Sequence, residues 1–206
     1  MTAVLGKRYA GTLISDFLGA YNRIKCLKQR CLVPLLRLIK KWRLHFAHDR
    51  KCRKYFDTMK SLVKSIIRLS AQYANGYPKN FVIRKADLVA RLRRTLNIRL
   101  GHPRADKFIQ KLAAKRNQLV ACLDFPDVCA HNNIAERLLR DNVIMRKITF
   151  GNRSFTGSGQ RNHEILMSLI QTARMQNLNP LDFLRLLLTS PATASAALRP
   201  AFTSGR

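Results

Sequence analysis

Eleven carboxylates stand among 39 lysines and arginines in a chain of 206 residues, so a site that needs acid groups has few to draw on. Two of them fall where chemistry is possible. Asp16 ends the short apolar run Tyr9-Ala-Gly-Thr-Leu-Ile-Ser15, whose length and β-friendly content predict a buried strand. Carboxylates at the C-terminal ends of strands line active sites in α/β folds; the competing role for Asp16 is the N-cap of the next helix. Glu136 lies in Asn132-Asn133-Ile134-Ala135-Glu136-Arg137. With Asn133 as N-cap it occupies N3, as in a capping box, or it pairs with Arg140 one turn on. The functional alternative is a metal-binding carboxylate at a helix start, facing Asp16. Arg137, Arg140, Arg146, Lys147 and Arg153 surround it in sequence. Beside a metal they suit contacts to a phosphate backbone; otherwise they form a solvated basic face.

Other chemistries find little support. The loop from Gly151 to Gly159 fits no P-loop or dinucleotide pattern. Cys26, Cys31, His45, His48 and Cys52 do not have the spacing of a zinc site, and small buried cysteines account for them better. No motif supports a cysteine nucleophile or a Ser-His-Asp arrangement. Five cysteines with no Cys-x-x-Cys pair argue against a disulfide framework and for a reducing cytoplasm.

The elements that must position these residues are mostly helical. Residues 22–73 show apolar spacing such as Leu32, Leu35, Leu36 and Ile39, which predicts two long helices with Pro34 a disturbance inside the first. Asn75-Gly76-Tyr77-Pro78 is a turn. Two more helices follow over 81–99 and 104–123, split at Gly101-His102-Pro103. A loop over 124–132 precedes a helix from Asn133 to Arg146. Residues 148–150 read as a short extended piece and 151–160 as a Gly/Ser loop. Helices follow over 161–177 and from Pro180 to Leu188, the last with Asn179 as N-cap. The tail from Ser190 reads as disordered.

Charge is uneven along this plan. Residues 21–120 hold 27 basic and 4 acidic side chains, a net of +23 out of +28 for the whole chain. Such a block calls for a polyanion, and nucleic acid is the leading partner. The basic residues spread all round their helices, so no membrane anchor stands out, and no run reaches the length of a membrane span.

Two segments together resemble the bacterial transposases of the insertion-sequence-sixty-six type. The first is Tyr9-Ala-Gly-Thr-Leu-Ile-Ser-Asp16-Phe-Leu-Gly-Ala-Tyr21-Asn with Lys28-Gln29-Arg30-Cys31. The second is Asn132-Asn133-Ile-Ala-Glu136-Arg137, Arg146-Lys147, Phe150-Gly-Asn-Arg-Ser154 and Gly157, closing with Ser168-Leu-Ile-Gln-Thr172-Ala-Arg174 and Asn179-Pro180-Leu-Asp-Phe-Leu184. The resemblance implies a DDE transposase that cleaves and transfers DNA strands with three carboxylates and two Mg²⁺ ions. It implies a ribonuclease-H-like core, with Asp16 as the second carboxylate and Glu136 as the third.

The expected fold is therefore α/β, mostly α: an incomplete ribonuclease-H-like core with a large helical insertion. Residues 1–21 would be a remnant of the core sheet, 22–123 the basic insertion, 124–189 the C-terminal part of the core and 190–206 the tail. Only 15 residues precede Asp16, fewer than the strands the resemblance places upstream, and Pro34 stands where the family has a histidine. Both point to a decayed or truncated copy that lacks the first catalytic Asp, inactive alone and acting as a homo-oligomer or with full-length transposase. The alternative is a non-catalytic basic DNA-binding protein.

Overall fold

The structure, a computed structural model, describes residues 8–17, 19–148, 158–190 and 193. The chain divides into two compact units, Met1–Asn132 and Asn133–Arg206. Helices dominate, with one small sheet, so the α/β, mostly α expectation holds for the described residues.

The first unit opens with β1 (Arg8–Ser15), the strand expected before Asp16. It pairs in parallel with β2 (Lys25–Arg30), with Ser15 opposite Arg30 at the end of the ladder. This strand corrects the reading of residues 22–73 as two helices. Nine residues, including a 3₁₀ turn at Gly19–Arg23, bring the chain back from one strand to the next. The connection is shorter than the dozen or so residues usual for a parallel crossover. The Ser15 carbonyl accepts from the Cys31 amide at 2.7 Å and extends the ladder past Arg30.

Helix α1 (Leu32–His45) follows at once. Pro34 is its third residue, in the first turn, where an amide has no intrahelical partner to lose. The expected interior break therefore does not occur. Helix α2 (Arg50–Ala74) is the spine of the unit. Its buried Phe56, Met59, Val63, Ile66 and Leu69 recur at helical spacing and meet α1 through Leu32, Leu35 and Ile39. Helices α3 (Phe81–Leu96) and α4 (Pro103–Ala113) close the core with Leu92, Leu96, Ile109 and Leu112.

Trp42 stacks on Phe46, Phe56 and Phe108 with ring centroids 5.5–6.1 Å apart. The Tyr55 hydroxyl donates to the Thr95 carbonyl across 3.1 Å in the buried interior. Tyr55→Phe leaves the packing and removes this bond, so thermal unfolding should report a loss of about 1 kcal/mol.

The helix expected over 104–123 stops at Ala113. Two 3₁₀ turns replace its end, at Arg116–Leu119 and Ala121–Leu123. They bend the chain against β2, where Gln118 Oε1 accepts from Arg30 and the Cys122 amide donates to Gln29 Oε1. Residues 124–132 form the expected loop.

The second unit holds α5 (Asn133–Ile148), α6 (Ser158–Met175) and α7 (Pro180–Thr189). Ala173 and Phe183 are its buried centre, with Leu169, Leu178, Leu186 and Leu187 around them. Asn179 caps α7 by accepting from the Leu181 amide at 2.9 Å, with Pro180 at the helix start, as the sequence predicts. Asp141 of α5 accepts from Arg174 of α6 at 2.7 Å and joins the two helices. Ile148 belongs to α5 and not to an extended piece, and residues 158–160 belong to α6 and not to the loop. The remainder of the expected loop and most of the tail lie outside the described residues.

Candidate functional site

Asp16 follows directly on the last residue of β1 and is exposed. Its backbone is fixed by a residue that sequence reasoning assigned no role. Arg30, at the end of β2, is 0% exposed. Its guanidinium donates to the Asp16 carbonyl, to the Asn22 side-chain oxygen, to Ser15 Oγ at 3.2 Å and to Gln118 Oε1 at 2.9 Å. Four of its five N–H groups are thus directed at the segment that carries Asp16 and at the turn beneath it. Burial pulls the Arg30 pKa down, and the Asp16 charge opposes that pull. Phe17 lies under both Arg30 and Lys115, each 6.0 Å from the ring centre. Lys115 is lowered by burial first and then by Arg30, Lys111 and Lys28. The floor beside Asp16 is therefore crowded with cations that repel one another.

A cavity of about 510 Å³ opens here, lined by Phe17, Leu35, Leu38 and Phe108 with Lys111 and Lys115. An apolar floor with two ammonium groups beside a strand-end carboxylate can receive an anion with an apolar or aromatic portion.

Glu136 lies in the first turn of α5 and is exposed; among the described residues it forms no ion pair, with Arg140 or otherwise. Arg137, Arg140 and Lys147 are exposed on the same helix. Arg153 and the side chain of Arg146 lie outside the described residues. Asp16 belongs to the first unit and Glu136 to the second.

The five residues weighed as a zinc site do not gather. Cys31, Cys52 and Cys122 are buried as free thiols. Among the described residues only Cys52 belongs to a group of three possible ligands, and its companions are Asp49 and His102, which the sequence did not single out.

Cations thus stand near each of the two carboxylates, Arg30 and Lys115 on the side of Asp16 and Arg137 and Arg140 along the helix of Glu136. The family model described as Transposase IS66 family matches residues 1–159, and the chain belongs to that family. The curated "Uncharacterized protein y4jO" of Sinorhizobium fredii (strain NBRC 101917 / NGR234) is 31% identical over 109 residues, 52% of this chain and 33% of that protein. The chain thus spans about a third of the length of the curated relative it matches. No solved structure matches. No helix among the described residues is long and apolar enough to cross a membrane.

Proposed function

We propose that this chain is a DNA-binding portion of a DDE transposase, with Asp16 and Glu136 as the second and third carboxylates of its Mg²⁺ centre. The observation that carries the reading is Asp16 itself: a residue at the end of a strand, its backbone carbonyl held by a buried arginine, within the span matched by the transposase family. The reading extends to a ribonuclease-H-like core interrupted by the basic helices of 22–123, to a cytoplasmic location, and to assembly with itself or with full-length transposase.

The donor chemistry fits the ion. Asp16 and Glu136 offer exposed carboxylate oxygens, the hard ligands Mg²⁺ prefers. The Asp49-Cys52-His102 group offers sulfur and nitrogen as well, which suit softer ions. Asp16 and Glu136 would hold Mg²⁺, which would supply neutralisation of charge at the phosphorus undergoing in-line displacement. The chain's own part is to hold the DNA. Lys111 and Lys115 face the strand beside Asp16, and Arg137, Arg140, Arg146, Lys147 and Arg153 meet backbone phosphates near Glu136.

Two carboxylates do not provide for two metal ions. The purified chain with Mg²⁺ and duplex DNA is therefore expected to retain the DNA without cutting it. Cleavage that disappears in Glu136→Gln would overturn the inactivity while supporting the site. Cleavage that survives both Asp16→Asn and Glu136→Gln would contradict the site.

A further inference from the structure

We propose that Asp49, Cys52 and His102 form a zinc site that ties the start of α2 to the start of α4. Their ligand atoms all lie within 4.8 Å of one another, although His102 is 50 residues from Cys52 in sequence. Tetrahedral zinc requires N–O and N–S separations of roughly 3.4–3.6 Å. His102 Nε2 and Asp49 Oδ2 are 2.9 Å apart, so this pair opens by roughly half an ångström while the sulfur closes in.

The three ligands are held from behind. Asp49 is the N-cap of α2: its Oδ1 accepts from the Cys52 amide at 2.8 Å, and its Oδ2 meets His102 Nε2, a contact that a bound ion would replace. His102 precedes α4 but does not cap it; its ring turns to Asp49 instead and rests on Phe46, with centroids 4.8 Å apart. The loop that presents His102 is fixed by Asp106. Its two carboxylate oxygens accept from the Leu100 amide at 2.8 Å and the Gly101 amide at 3.1 Å. Gly101 has φ +86°, a conformation that favours glycine. Outer bonds of this kind orient metal ligands and set their affinity.

A cap and a carboxylate–histidine bond account for Asp49 and His102, but neither calls for a sulfur atom in the same place. Carboxylate, thiolate and imidazole make a three-ligand zinc set with water as the fourth. On binding, the Cys52 S–H proton is released to solvent as a Zn–S bond forms, and the proton that His102 Nε2 shares with Asp49 moves to Nδ1 of the neutral ring by exchange with solvent, which frees Nε2 for zinc; no oxidation state changes.

The test uses the full chain, stripped of metal, and titrates it with Co²⁺. One equivalent should give tetrahedral cobalt bands with a thiolate-to-cobalt charge-transfer band, all erased by one equivalent of Zn²⁺. His102→Gln, a half-exposed position that leaves the core intact, should weaken Co²⁺ binding at least 10-fold. Cys52→Ser should remove the charge-transfer band. No charge-transfer band in the parent chain would overturn the proposal. So would binding unchanged in His102→Gln, since the sulfur would then come from Cys26 or Cys129. None of these outcomes depends on the transposase reading.

Discussion

Replacing Arg30 by methionine is expected to lower the stability of this chain by about 3 kcal/mol or more. Methionine matches the length of the arginine stem but carries no donor. The Asp16 carbonyl, Asn22, Ser15 and Gln118 then lose a shared partner in a place where Arg30 has no solvent exposure. Of these acceptors Ser15 is buried and the bonds to the others are partly buried, and breaking a hydrogen-bond network at a buried centre is among the few causes of large single-site effects. For a chain of this size, thermal unfolding should begin roughly 6–12 °C lower. Amide exchange should rise most over residues 16–24, the segment the guanidinium secures. Lys25→Met, at an exposed position on the same strand, should stay within about 0.5 kcal/mol of the parent. If Arg30→Met proves as mild as Lys25→Met, the guanidinium does not organise the Asp16 segment.

Duplex DNA affinity is expected to fall about 10³-fold as salt rises from about 50 to 200 mM. Residues 21–120 hold 27 cations and only 4 acids, so even complete pairing leaves most of the cations free. Among the described residues, the pairs Arg43–Asp57, Lys85–Asp124 and Arg91–Asp87 engage three of them. Arg53, Lys54, Lys64 and Arg68 stand exposed along α2. Each phosphate they neutralise releases counterions, which makes the logarithm of the binding constant fall linearly with that of salt. Changing Lys54, Lys64 and Arg68 to glutamine should reduce that slope by about 0.9 for each contact removed, with little dependence on DNA sequence. A dissociation constant indifferent to salt would contradict this role for the helical block.

The helices were largely legible because their apolar residues repeat at 3.6-residue spacing, as in α2, where one face is buried and the rest is charged. The strand before Asp16 was legible from its apolar run. Its partner was not. Lys25-Cys-Leu-Lys-Gln-Arg30 lacks both β-branched residues and apolar alternation, and Lys, Gln and Arg favour helices. Its two innermost residues, Gln29 and Arg30, are buried through hydrogen bonds and not through apolar contact. Hydrophobic patterning carries no record of that kind of burial. The stretch Lys28-Gln29-Arg30-Cys31 was noticed only for its family resemblance. Pro34 follows from the same strand: because β2 runs to Arg30, α1 starts only at Leu32 and the proline falls in its first turn, where apolar spacing alone places it in a helix interior.

The candidate site divides in the same way. Asp16 and Glu136 were found from strand-end and helix-start positions, which are local. Asp49, Cys52 and His102 come together only through the packing of α2 against α4, and spacing along the chain does not encode that. A histidine just before a helix that leaves its own cap position unbonded was the one local signal available.

The central claim is that Asp16 and Glu136 flank one metal ion. Fe²⁺ loaded in place of Mg²⁺ on the DNA-bound chain, with ascorbate and peroxide, generates radicals that cut the backbone beside the ion. The account predicts two groups of cuts, one next to Asp16 and one next to Glu136, both lost in Asp16→Asn and both lost in Glu136→Gln. Cuts near residues 49–52 and 102 would report the separate cysteine-containing site and should persist in both variants. Cutting at only one of the two carboxylates, or at Asp16 undiminished by Glu136→Gln, would contradict the shared ion.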